Sequence, residues 1–278
     1  MSSPATENVY DVIIIGTGPI GQTAADRTRA GGLSVAAVER ELVGGECSYW
    51  ACIPSKAMLR PVVAVADARR VAGALQAVTR PVDVPATFSR RDRLVTDWND
   101  EGQANFLKSI GAELIRGHGR LDGARRVAVE TPDGATISLT ARHAVAICTG
   151  SRPDLPELPG LAEVRPWTNR EATNVRDIPS RVLLVGGSAV GTEMGQFYAG
   201  MGAQVTIVQR AGRRAGRPGA VRAGCRRPHR GHPGQSRKVG QAVVTLDDGS
   251  QVETDVVILA PTAPRERRDP AWRPPGCS

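Results

Sequence analysis

Apolar positions along the chain follow two repeats of one pattern. Val9–Ile15 (VYDVIII) is nearly continuous and rich in β-branched side chains, as a strand buried on both faces of a parallel sheet requires. It runs into Gly16-Thr17-Gly18-Pro19-Ile20-Gly21, a helical stretch (QTAADRTRAGG) and a second strand, Leu33–Val38, which ends at Glu39. The order returns at Val182–Val185, Gly186-Gly187-Ser188-Ala189-Val190-Gly191, a further helix and Val205–Val208. Between these βαβ units, Ala57–Ala77 and roughly Ser89–Ser109 read as helices, with Pro61 interrupting the first. Residues 113–148 read as short strands with a Pro-Asp-Gly turn at 132–134, the last strand being Ala144–Cys148. Residues 154–180 are proline-rich and read as a connecting loop. Ala242–Leu246, an Asp247-Asp248-Gly249 turn and Gln251–Leu259 read as a hairpin. The expected architecture is α/β with two Rossmann-like units: one domain over 1–153, a second over 154–260, and a disordered tail over 261–278.

Length and composition agree with that division. A chain of 278 residues suits about two domains, and 41% apolar residues with 31 glycines exclude wholesale disorder. No stretch approaches the roughly 18–20 apolar residues of a membrane helix, and the first residues lack the basic region of a secretory signal. The 5 cysteines are too few for a disulfide scaffold, so a reducing, cytoplasmic setting is expected. Charge is uneven. Residues 211–278 hold 13 Lys+Arg and 6 Asp+Glu, which leaves 36 − 13 = 23 against 28 − 6 = 22 elsewhere. The overall +8 therefore belongs to the last quarter of the chain and does not describe a nucleic-acid-binding surface.

The first G-x-G-x-x-G carries chemistry because of its context. Gly16, Gly18 and Gly21 permit a tight turn, close backbone approach to a pyrophosphate, and close helix–strand contact; the helix start then offers free N–H groups to phosphate oxygens. Glu39 stands at the end of the second strand, where an acid hydrogen-bonds a ribose hydroxyl. A glycine-rich turn with no ligand would leave Glu39 unexplained.

Directly after this unit comes Gly44-Gly45-Glu46-Cys47-Ser48-Tyr49-Trp50-Ala51-Cys52-Ile53-Pro54-Ser55-Lys56. Two cysteines this close suggest redox or metal work, but the second pair of a zinc knuckle is missing. Two buried thiols or a static disulfide are the structural alternatives.

The motif G-G-x-C-x4-C-x-P-S-K after an N-terminal G-x-G-x-x-G resembles the FAD-dependent pyridine nucleotide–disulfide oxidoreductases, which include dihydrolipoamide dehydrogenase, glutathione reductase and mercuric reductase. The resemblance implies that Cys52 sits against the flavin as a thiolate, that Cys47 exchanges with substrate, that Gly45 lies in the cofactor-binding turn, and that Lys56 places a cation at the reactive flavin edge. Thr149-Gly150-Ser151 resembles the family's A-T-G-S-x-P signature beside the flavin, with Cys148 for its alanine as a buried small residue. Gly119 matches a family glycine against the adenine, or else marks an ordinary turn. Gly186 and Gly191 belong to an NAD(P)-binding loop in which Ser188 replaces the middle glycine and is expected to crowd the pyrophosphate. Glu193 matches the glutamate that pairs with the lysine, here Lys56. Gln209 and Arg210 stand where an NADH enzyme has an acid, which favours NADPH; NAD is the alternative.

After residue 210 the resemblance breaks. Residues 211–238 hold 9 Lys+Arg, no acids, 9 Gly+Pro and one aliphatic residue, Val221, an irregular basic insert. This insert and 261–278 have the composition of GC-rich codons read out of frame; family-like sequence in another frame of the gene would support that origin, and its absence would end it. A basic arm for nucleic acid is the rival, and it lacks interleaved aromatics. The family's second FAD-contacting stretch and its C-terminal dimerisation domain, with a His-Glu acid–base pair, have no counterpart, so the chain reads as truncated from a homodimeric family. The expected activity is electron passage from NAD(P)H through FAD to Cys47–Cys52 and on to a small-molecule or protein disulfide, a dihydrolipoamide-type compound or a metal ion. The alternatives are a flavin or quinone reductase that does not use the cysteines, and a non-catalytic remnant.

Overall fold

The computed structural model describes residues 8–153, 155, 159–161, 163–209, 242–246 and 249–260. The basic insert, Arg210, the turn at 247–248 and the 261–278 tail lie outside them. The chain forms two compact units: residues up to Met58 with Pro85–Arg152, and Leu59–Val84 with the described residues from Pro153 on.

In chain order the first elements are β1 (Asn8–Ile15), α1 (Pro19–Ala30), β2 (Val35–Glu39), α2 (Gly45–Tyr49), α3 (Cys52–Ala68) and α4 (Ala74–Ala77). They are followed by α5 (Val84–Leu94), α6 (Glu101–Ser109), β3 (Glu113–Arg116), β4 (His118–Leu121), β5 (Arg126–Glu130) and β6 (Thr136–Ile147). The first unit's sheet runs β3-β2-β1-β6-β5-β4. Its β3, β2, β1 and β6 are parallel, while β6, β5 and β4 form an antiparallel meander. The Ile13–Ile15 end of β1 is buried on both sides, as its sequence requires. Ile13 and Ile15 join Ala36, Val38, Val127 and Leu139 on one face, and Ile14 joins Val35, Ala37, Ala25 and Leu107 on the other.

The second unit holds α7 (Asn169–Thr173), β7 (Arg181–Val185), α8 (Ala189–Gly200), β8 (Gln204–Val208), β9 (Ala242–Thr245), β10 (Gln251–Thr254) and β11 (Val256–Leu259). Strands β11-β7-β8 make a parallel sheet, and β9 pairs with β10 in a separate two-stranded one.

Several expected elements are redrawn. The first middle helix begins at Cys52, passes through Pro61, and ends at Ala68. It cannot run on to Ala77, because Gly73 has φ +90, outside the right-handed helical region. The second is two helices, since Thr96, Asp97 and Trp98 all take left-handed backbone (φ 51, 48 and 58) between α5 and α6. The expected strand Ala144–Cys148 is the end of the long β6, which stops at Ile147 and leaves Cys148 outside it. The connecting loop contains α7, capped by Thr168 and Glu171: Thr168 N–H and Oγ donate to Glu171 Oε2 at 2.7 and 2.6 Å. The expected single strand 251–259 breaks at Asp255. Its carboxylate accepts from Arg181 N–H and Nη2, each at 2.9 Å, so β10 stays in the hairpin while β11 crosses to pair with β7.

Candidate functional site

β1 delivers the chain to the first loop and α1 carries it away. Gly16 turns with φ +94, and a Cβ there would lie 2.4 Å from the Cys148 carbonyl oxygen. A Cβ on Gly21 would lie 1.9 Å from Gly16 O, so turn and helix touch backbone to backbone. Gly18 differs. A Cβ there meets nothing within 4 Å, and Gly18 caps α1 with no side-chain bond to its first N–H groups. Room and free donors at a helix start fit a diphosphate. Glu39 is buried and faces the loop: Oε2 accepts from Thr17 N–H at 2.9 Å and Thr17 Oγ at 2.8 Å, and Oε1 accepts from Glu41 N–H at 2.9 Å. Each oxygen has two lone pairs, so Oε1 retains capacity for a hydroxyl.

The cysteines hang on this loop. Gly44 and Gly45 turn with φ 116 and 56, Gly44 N–H donates to Thr17 O at 2.9 Å, and a Cβ on Gly45 would lie 3.1 Å from Gly18 Cα. The start of α2 is thereby set against the middle of the dinucleotide loop. Cys47 lies in α2, half-buried, and Cys52 opens α3, exposed; both are free thiols. Burial pushes the Cys47 thiol up to about 11, helped by the neighbouring Cys52 thiol and its charge, while the Cys52 N–H and the Lys56 ammonium pull the other way. Lys56 follows Cys52 by one turn of α3.

The turn leading into α2 has a polar buttress. Asp100 Oδ2 accepts from Val43 N–H at 2.7 Å and forms an ion pair with Arg116 Nη1 at 2.7 Å, and the same Arg116 nitrogen donates to Glu41 O at 3.0 Å. Burial pushes the Asp100 carboxyl up, but Arg116 and Val43 N–H outweigh it and hold it below the usual range. Neither residue belongs to a motif. The available signal was a polar residue at a helix N-cap, Asp100, that makes no cap bond.

Thr149, Gly150 and Ser151 follow β6 exposed, with Thr149 Cα 3.1 Å from a Cβ built on Gly16. Gly119 lies inside β4, which overturns its reading as a turn; a Cβ there would press on Val38 and Ile15 at 3.1 and 3.2 Å. Two histidines are described: His118 stands 3.4 Å from Arg120, and His143 3.7 Å from Asp11.

The second loop repeats the first in its backbone. A Cβ on Gly191 would lie 2.1 Å from Gly186 O. Ser188 caps α8, its Oγ accepting from Gly191 N–H at 3.4 Å, and a Cβ on Gly187 would lie 2.1 Å from Gln209 Oε1. Glu193 lies in α8 of the second unit and Lys56 in the first. Arg210 is outside the described residues.

A model of the pyridine nucleotide-disulphide oxidoreductases matches residues 10–261. The chain belongs to this family. Its members are oxidoreductases that use FAD and NAD(P)H. The chain is 35% identical over 209 residues to a dihydrolipoyl dehydrogenase of Chlorobaculum parvum, covering 74% of this chain and 44% of that protein. It is 32% identical over 206 residues to a mercuric reductase of Staphylococcus aureus, covering 73% and 36%. It thus spans about two-fifths of the length of these curated relatives. Among solved structures, the Cu(II) complex of the HOCl-induced flavoprotein disulfide reductase RclA from Escherichia coli shares the fold, with a TM-score of 0.68 at 18% identity over 91% of this chain and 56% of that one. Among the described residues of this family member, no helix is long and apolar enough to cross a membrane.

Proposed function

We propose that this chain is the cofactor- and thiol-bearing part of an FAD- and NAD(P)H-dependent reductase whose redox pair is Cys47–Cys52. The observation that carries this reading is the close approach of Gly45 to Gly18, which brings the segment bearing two neighbouring thiols against an uncapped dinucleotide loop. FAD, when bound, supplies the two-electron link between NAD(P)H and the cysteines. Gly16, Gly18, Gly21 and the start of α1 would hold its diphosphate, Glu39 its ribose, Gly119 and Thr149–Ser151 would line its path, and Lys56 would place positive charge at its reactive edge.

The thiols then act in order. Cys47 sulfur attacks a substrate disulfide, forming a mixed disulfide and releasing one thiol. Cys52 sulfur attacks Cys47 sulfur, closing the Cys47–Cys52 disulfide and releasing the second thiol, so two electrons and two protons leave the pair. With its thiol pushed up to about 11, Cys47 holds its proton at neutral pH and needs a base to release it. A metal ion that accepts two electrons is the other substrate class. Gln209 and Arg210, in place of an acid, favour NADPH at the second loop.

The test is the visible spectrum of the flavin-loaded chain on anaerobic reduction. A long-wavelength band present in the parent and in Cys47→Ser but lost in Cys52→Ser is expected. An unchanged band in Cys52→Ser, or quinone reduction that survives loss of both cysteines with no band in the parent, overturns the reading.

A further inference from the structure

Cys47 sits on a short helix held at its two ends by two adjacent residues, Asp100 at the start and Asn99 at the end. Before it, Val43, fully buried, donates its N–H to Asp100 Oδ2 at 2.7 Å. After it, the buried Tyr49 donates its hydroxyl to the Asn99 carbonyl at 3.4 Å. Arg116 closes the first grip into a ring, bonded to Asp100 at 2.7 Å and to Glu41 O at 3.0 Å.

Two features show that the grip is imposed on the chain. Asp100 occupies the N-cap of α6, where its carboxylate would ordinarily bond the helix's own N–H groups, and it makes no such bond. Thr96, Asp97 and Trp98, just ahead of Asn99, all adopt left-handed backbone, which the β-branched Thr96 and the bulky Trp98 disfavour. A plain connection from α5 to α6 needs neither; strain of this kind persists where surrounding contacts fix it. Thr96 Oγ and Tyr49 Oη both donate to Asn99 O, which ties the strained turn to the cysteine helix.

We propose that Asp100, locked by Arg116, is a positioning residue for the Cys47–Cys52 pair: it fixes the Val43–Gly45 turn, and through it the place of Cys47 beside Cys52 and the dinucleotide loop. The inference rests on the redox pairing proposed above. It touches neither substrate nor cofactor, so its signature is in the thiols.

The test is the pH profile of alkylation of each cysteine by iodoacetamide, read by mass spectrometry on the full chain, for the parent, Asp100→Ala and Asp100→Asn. In the parent, Cys47 reacts slowly at pH 7.5. Asp100→Ala should speed Cys47 at that pH by about tenfold or more as its contact with Cys52 loosens, since each unit of downward shift multiplies the thiolate fraction about tenfold. Asp100→Asn keeps an oxygen for Val43 N–H but loses the ion pair, and should fall between the two; it decides the matter alone if the alanine variant does not fold. A lower melting temperature with unchanged Cys47 profiles in the variants overturns the positioning role and leaves the redox pairing standing. Ordinary thiol reactivity of Cys47 in the parent also overturns the positioning role.

Discussion

Gly16–Gly21 and Gly186–Gly191 close their turns on matching backbone contacts. The first glycine takes φ +94 in one and +114 in the other, and its N–H bonds the end of the neighbouring strand, Val38 O at 2.9 Å or Val208 O at 2.8 Å. The third glycine abuts the carbonyl of the first in both. The loops part at the helix cap and at the end of the second strand. Gly18 leaves α1 uncapped, whereas Ser188 caps α8 with its own hydroxyl. Glu39 offers a carboxylate to Thr17, while Gln209 brings an uncharged amide against Gly187. Requirements of the turn itself are therefore met identically, and the differences fall on the positions that choose a ligand and its charge.

The largest expected effect tests the shared part. Gly21→Ala places a Cβ 1.9 Å from Gly16 O, and Gly191→Ala places one 2.1 Å from Gly186 O. Backbone cannot yield as a side chain tip does, so each should cost roughly 3 kcal/mol, the upper end for overpacking. Thermal melts of both variants check this. If one is tolerated and the other is not, the loops are not equivalent where they appear superimposable.

Gly18→Ala tests the divergent part. With nothing within 4 Å of the added methyl, stability should change by less than about 0.5 kcal/mol. On the proposed reading the methyl would stand in the path of the diphosphate, and a ~2 kcal/mol penalty there would weaken FAD binding about thirtyfold. Flavin retained per chain after dialysis is the readout. Unaltered retention would mean that the phosphates do not approach this glycine.

What could be read from the chain alone follows the range of the forces. The β1 run was legible because burial on both faces of its Val12–Ile15 end leaves no polar position there, and the C-x4-C segment because its spacing brings two thiols together within one local turn. The left-handed turn at Thr96–Trp98 was not legible, since no glycine marks it and the contact that holds it, Tyr49 to Asn99, spans 50 residues. The break at Asp255 depends likewise on Arg181, 74 residues away. Asp100 was hidden for a different reason: its partners Val43 N–H and Glu41-bound Arg116 are a backbone group and a cation outside any motif. Only α7 was in plain view, in Thr168-Asn169-Arg170-Glu171, and the prolines around it drew the reading toward a loop.

Gln209→Glu would make the second loop like the first at the end of its second strand. A carboxylate there accepts from ribose hydroxyls and repels a 2′-phosphate, so the ratio of NADPH to NADH affinity should fall by about tenfold, a change of ~1.4 kcal/mol. Calorimetric titration with each nucleotide reads the ratio directly. A ratio that does not move would show that Gln209 does not reach the ribose.

The smallest effect is expected from Ser188→Gly, which completes the match. From sequence, the serine was expected to crowd the diphosphate. Its Oγ accepts from Gly191 N–H at 3.4 Å. That bond is long, and glycine is itself a fair N-cap, so the change should cost only a few tenths of a kcal/mol. With the hydroxyl already folded onto its own helix, removing it frees little room, and nucleotide affinity should change less than about threefold. The same titrations distinguish the two readings. Tightening by tenfold or more would mean that the cap competes with the phosphate for the helix N–H groups, and the two loops would then differ in accessibility as well as in charge.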